Sequence, residues 1–135
     1  MSISKTFITI LIVGSILLCS CSKYITETGK ASFYGKGDGY NGRKTADGET
    51  FNTNAYTAAH KTLPFNTEVL VKNLKTGKTV KVRINDRGPY AKNRVLDLSE
   101  AAAKALDMKT EGVTAVKIEV IKPSVSTAVP GSTLP

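Results

Sequence analysis

A chain of 135 residues with 41% hydrophobic content has room for one domain with a modest core and none for a second. Nineteen basic residues against eleven acidic ones give a net charge of +8, which calls for an anionic partner: nucleic acid, an acidic membrane surface or a carboxylate-bearing polymer. The lysines are scattered from Lys30 to Lys122, and the aromatic set is five Tyr and four Phe with no Trp, so neither a concentrated basic patch nor a stacking motif supports nucleic-acid binding.

The N-terminus narrows the choice. Residues 7–18, FITILIVGSILL, form a twelve-residue apolar run behind Lys5, too short to span a bilayer and of the right length for a secretory signal. The LCSC that follows resembles a bacterial lipobox, with an aliphatic residue at −3, a small one at −1 and Cys21 as the lipidated residue. Cys19 would place Leu18 at −1, where a small side chain is needed, so it is expected to leave with the signal. Two cysteines two positions apart beside a hydrophobic segment are poorly placed to brace a fold with a disulfide. Residues 1–20 therefore read as a lipoprotein signal peptide and 21–28 as a tether. Removing the signal takes away Lys5 and no acid, leaving +7 from +8. Outside the cytoplasm nucleic acid is not an expected partner, whereas an anionic wall polymer is.

The folded unit is expected over residues 29–122, followed by a disordered Pro-, Ser- and Thr-rich tail at 123–135. KASFYG opens with strand-like alternation, and NAYTAAH gives a mixed signal. TEVLVKN and KTVKVRIN are period-2 runs joined around LKTG, as in a hairpin, and RVLDL is a further short strand. SEAAAKALDM, residues 99–108, predicts a helix with Ser99 as N-cap and Ala102, Ala105 and Leu106 on one face. The last strand, VTAVKIEVI, offers Val113, Val116, Ile118 and either Val120 or Ile121 to the core. Many short strands, one helix and Gly-rich connections predict a small β-barrel.

Few residues can carry chemistry. VRINDRGPY, residues 82–90, begins as a strand and breaks into Asp86, Arg87 and Gly88-Pro89, which is either a polar turn or a site. Glu49 in KTADGETF is either a solvated turn acid or a site residue brought close by small neighbours. His60 is the sole histidine, and with no free thiol in the mature chain a metal site is disfavoured; no cofactor is expected. Asp97 in RVLDLS reads as structural, bonded to backbone or to Arg94.

GKASFYG, GRKTADGETF, TAAHKTLPFNTEVLVKNLKTGKTVKVRINDRGPY and RVLDLSEAAAKAL, in that order across nearly all of residues 29–121, resemble the rare lipoprotein A (RlpA-like) family. The resemblance implies a six-stranded double-psi β-barrel with one main short helix, related to the barrel of expansins. It implies a lytic transglycosylase cleaving peptidoglycan glycan strands, with preference for strands stripped of stem peptides. The family's catalytic acid falls on Asp86 and its supporting polar positions on Glu49 and His60. Phe33 stands where many members carry a tryptophan, and the C-terminal SPOR domain of longer members is expected to be missing.

A hydrolase normally uses two carboxyl groups. A lytic transglycosylase recruits no water: the 6-hydroxyl of the muramic acid attacks its own anomeric carbon, so one group can donate a proton and later take one back. Asp86 is assigned that role, kept protonated by burial or by a carboxylate neighbour for which Glu49 is the candidate. Arg87, adjacent on a strand, is expected to face the other way. Tyr34, Lys44, Asn85 and Arg87 are candidate substrate-binding residues. The expected partners are glycan strands and a membrane reached through lipid on Cys21, with the protein monomeric. Ser22 in place of an aspartate after the cysteine directs it, in a two-membrane cell, to the outer membrane facing the periplasm. The alternative is a non-catalytic, expansin-like glycan-binding lipoprotein.

Overall fold

The computed structural model describes residues 25–35, 37–108 and 110–123. The signal segment, the lipidation candidate Cys21 and the tail from residue 124 lie outside the described residues. Six strands and one helix follow in chain order: β1 Thr26–Tyr34, β2 Thr57–His60, β3 Glu68–Asn73, β4 Thr79–Asp86, β5 Arg94–Ser99, α1 Glu100–Ala105 and β6 Thr114–Lys122. They close into a barrel in the order β1-β5-β2-β4-β3-β6. β1 runs parallel to β5 and β2 parallel to β4, while the other four pairings are antiparallel.

The alternation read in the sequence fills this barrel. Val69 and Val71 of β3, Val82 and Ile84 of β4, Leu96 and Leu98 of β5, and Val116 and Ile118 of β6 are all buried. Each such side chain contributes roughly 1.5–3 kcal/mol on leaving water, so these eight dominate the stability of the closed sheet. Ala31 and Ala58 pack among them, and Ala102, Ala103, Leu106 and Met108 join the same core. Asn73, buried at the end of β3, donates from Nδ2 to the Leu106 carbonyl at 2.8 Å and accepts from the Lys75 N–H at 2.9 Å. One side chain thus satisfies the C-terminal end of the helix and shapes the β3–β4 hairpin turn.

Three expectations shift. Residues 26–28, read as tether, are the first three of β1 and pair with Lys117–Glu119 of β6. Their polar run carried no apolar alternation because neither face is fully buried there. The helix is shorter than 99–108. Ser99 caps it, accepting from the Ala102 N–H at 3.3 Å, and the chain turns out of it at Asp107 with φ 59°. Its buried stripe runs through Ala102, Ala103 and Leu106, leaving Ala105 exposed. In β6 the core phase is Val116 and Ile118, with Val120 half-buried, so Val113 and Ile121 remain on the surface.

Candidate active site

Asp86 lies two residues beyond Ile84, and strict alternation would send it back into the core. The β2–β4 register prevents this: Ala58 pairs with Ile84 but Ala59 pairs with Asp86, so the ladder slips at Asn85. Such irregularities re-aim side chains. Here Asp86 comes level with Ala59, whose position is opposite in phase to the core residue Ala58. On the other side Ala59 pairs with Asp97 of β5, and Asp97 pairs with Ser32 of β1. Ser32, Asp97, Ala59 and Asp86 therefore form one row across four adjacent strands.

That row lines a groove of about 540 Å³. The rings of Phe33, Tyr34, Tyr40 and Tyr90 line it further, with the cations Arg43, Lys44, Arg87 and Arg94. Tyr90 projects freely, 89% exposed, just after the cis Gly88-Pro89 peptide.

Donors hold the Asp86 carboxylate. Its Oδ1 accepts the N–H groups of Ala46 and Arg87, both at 2.9 Å, and the Tyr34 hydroxyl donates to Oδ2 at 3.4 Å. The Tyr34 ring stacks on Phe51 with centroids 4.5 Å apart and meets Tyr40 edge-on at 5.7 Å. Burial, and then the Asp86 charge, push the Tyr34 hydroxyl well above the ordinary tyrosine pKa, so it remains a donor at every physiological pH.

The Ala46 N–H comes from the KTADGET segment, a turn built by local chemistry. Asp47 Oδ1 accepts from the Glu49 N–H at 3.0 Å and from the Thr45 hydroxyl, and Gly48 takes φ 88°. Glu49 anchors this turn to β4, receiving Arg83 Nη1 and Nη2 at 2.6 and 2.7 Å. The Arg83 bonds lower the Glu49 pKa from 4.5 to about 2, against the opposing effect of desolvation. Asn85 Nδ2 also reaches Glu49, at 3.5 Å. Neither Glu49 nor Asn85 lines the groove. Glu49 spends its charge on Arg83 and is not the carboxylate neighbour expected beside Asp86; the other carboxylate that lines the groove is Asp97.

His60 is likewise away from the groove, 5% exposed at the end of β2. Its Nδ1 accepts the Thr62 and Leu63 N–H groups at 3.1 and 3.0 Å. The proton consequently belongs on Nε2, which lies 2.9 Å from Glu27 Oε2. The turn held in this way supplies two carbonyls, those of His60 and Leu63, to Arg87 Nη1 at 3.2 and 2.8 Å, and the guanidinium sits 4.0 Å above the Phe65 ring. Arg87 thus spends its charge on backbone carbonyls and a ring. Tyr34 and Lys44 line the groove as Arg87 does. Ser32, Tyr40, Arg43, Tyr90, Asp97 and Arg94 line it too, beyond the residues that the sequence singles out for the site. For Ser32 and Asp97 the available signal is a polar residue in the outward phase of β1 and β5, legible only once the strand order is known; Tyr40, Arg43 and Tyr90 lie outside the strands.

A family model described as lytic transglycolase matches residues 26–118. The chain belongs to the RlpA-like lytic transglycolase family. A Nostoc protein named "Probable endolytic peptidoglycan transglycosylase RlpA" is 58% identical over 93 residues, covering 69% of this chain and 25% of that protein. Proteins named endolytic peptidoglycan transglycosylase RlpA from Campylobacter jejuni and Rickettsia typhi are 53% and 50% identical, covering 71% and 82% of this chain and 34% and 35% of theirs. The chain thus spans between a quarter and about a third of the length of these relatives. Among solved structures, the Streptomyces papain inhibitor superposes with TM-score 0.56 at 23% identity, covering 70% of this chain and 93% of its own. The apo Clavibacter michiganensis expansin gives 0.57 at 24%, covering 74% and 52%. Both likenesses speak to the fold, a double-psi β-barrel.

Proposed function

We propose that the groove cleaves peptidoglycan glycan strands by lytic transglycosylation, with Asp86 as both acid and base. The observation that carries this reading is the register slip that turns Asp86 out of the core and into a groove, where bonds from Ala46, Arg87 and Tyr34 fix the orientation of its side chain. The names of the RlpA relatives supply the substrate class. Asp86 protonates the glycosidic oxygen as the bond to the anomeric carbon breaks. The 6-hydroxyl oxygen of the same muramic acid then closes on that carbon and returns its proton to Asp86, so no water is consumed.

The remaining groove residues suit such a polymer. Arg43 and Lys44 offer positive charge to the lactyl carboxylates of muramic acid, and the half-exposed Tyr40 and the freely projecting Tyr90 offer ring faces to sugars. Glu49 and His60 act as positioning residues, the first through the turn that presents the Ala46 N–H to Asp86 and the second through the turn that holds Arg87. We further propose that Cys21 carries lipid, that the monomeric protein is anchored in the envelope, and that in a two-membrane cell it faces the periplasm from the outer membrane. Incubating the protein with denuded glycan strands and analysing the products by mass spectrometry tests the activity. Ends lighter by one water than a hydrolytic product support it. Strands that bind and remain intact favour the expansin-like alternative.

A further inference from the structure

The second carboxylate of the groove has no part in the proton transfer just described. Asp97 stands in the same strand row as Asp86, separated from it by Ala59 alone. Two strand spacings put the two backbones roughly 10 Å apart, somewhat less on a curved barrel. Both residues line the groove, and the methyl group of Ala59 leaves the space between them open. Carboxyl groups that flank a glycosidic bond in glycosidases stand roughly 5 to 9.5 Å apart, a range that backbones roughly 10 Å apart bring within reach of two aspartates lining one groove. Asp97 is also held in place. The Ser32 hydroxyl donates to its Oδ1, and Arg94 Nη1 donates to the Ser32 oxygen at 2.9 Å. The hydroxyl is thereby committed to Asp97 as a donor, because its oxygen is already occupied by the guanidinium.

We propose that Asp97 is a second catalytic residue, whose carboxylate stabilises the positive charge that develops on the sugar ring while Asp86 moves the proton. The proposal rests on the transglycosylase reading and supplies what that reading lacks. When the bond from the anomeric carbon to the glycosidic oxygen breaks, the electron pair leaves with the oxygen, which takes the Asp86 proton, and the ring carbon and ring oxygen share a positive charge. Asp97 faces that charge as a fixed anion until the 6-hydroxyl oxygen forms the new bond to the anomeric carbon and gives its proton to Asp86. Asp97 itself forms no bond and ends the cycle unchanged. Preorganised electrostatic stabilisation of this kind is worth on the order of 10² to 10³ in rate when one group is removed.

The test uses the full chain with denuded glycan strands, measuring kcat and KM for release of anhydro ends. Asp97→Asn keeps an oxygen to accept from Ser32, so it preserves the structural contact and removes only the charge. The expected result is a fall in kcat of about 10² to 10³ with KM and melting temperature nearly unchanged. A purely structural Asp97 predicts the wild-type kcat for Asp97→Asn, and that result overturns the proposal. If Asp97→Asn does not fold, Ser32→Ala decides: freeing the Asp97 carboxylate should lower kcat at constant KM, and an unaltered kcat overturns the proposal. A wild-type protein that releases no anhydro ends overturns the transglycosylase reading itself, and this inference with it.

Discussion

The clamp between Glu49 and Arg83 can be tested through stability and pH together. Glu49→Gln removes the charge from a bidentate contact at 2.6 and 2.7 Å while keeping the side chain's shape. A pKa lowered from 4.5 to about 2 amounts at face value to a few kcal/mol. The Glu49 side chain is 41% exposed, however, and solvent screening reduces the value of such a pair to about 1 kcal/mol. Asp47 Oδ2, 3.8 Å from the same guanidinium, also keeps Arg83 from being stranded. The sign follows from the folded-state value being the depressed one. The contribution is fully present above the unfolded value of 4.5 and is lost as pH falls through about 2. Chemical denaturation at pH 7 should therefore show Glu49→Gln less stable by about 1 kcal/mol, or roughly 4–8 °C in Tm for a domain of this size. At pH 3 the difference should shrink to less than half of that. Because the clamped turn delivers the Ala46 N–H to Asp86, the variant should also lose cleavage rate at pH 7. Equal stability at pH 7, or a deficit that does not diminish on acidification, would refute the clamp.

His60→Ala should destabilise the fold by about 2–3 kcal/mol, since it strands the Thr62 and Leu63 N–H groups and opens a cavity, as thermal melts will show. The folded fraction of that variant should keep the pH–rate profile of the wild type, because the imidazole does not line the groove; a profile that loses a limb would make His60 a proton-transfer group. Cys21→Ala should release the protein from membranes or block its processing, while Cys19→Ala should leave it anchored, a contrast that membrane fractionation and metabolic labelling with a fatty acid can read directly.

Much of the barrel could be read from period-2 patterning, since Val82 and Ile84 flank Arg83, Leu96 and Leu98 flank Asp97, and Val69 and Val71 are buried on either side of the half-buried Leu70. Asp86 was legible because VRIND breaks into RGPY and because the surrounding motifs resemble a known family. Where patterning failed, pairing had decided the matter. The first residues of β1 are polar and become a strand because β6 offers them a ladder. Asp97 sits between two buried leucines, and nothing local shows that its outward phase meets Ala59 and Asp86 on neighbouring strands. Glu49 looked like a partner for Asp86 by motif, yet Arg83, thirty-four residues away, takes its charge. The resemblance groups His60 with the site, whereas its ring is occupied by two backbone N–H groups that only the folded turn brings to it.

The most direct measurement of the central claim compares the wild type and Asp86→Asn on denuded glycan strands, with products resolved by mass and binding measured on the same preparations. The amide keeps nearly the same shape and can still accept from the Ala46 and Arg87 N–H groups, so fold and binding should persist. Loss of proton transfer should lower release of anhydro ends by a factor on the order of 10² to 10⁴. An Asp86→Asn protein that releases anhydro ends at the wild-type rate would contradict the account and move the chemistry to another group.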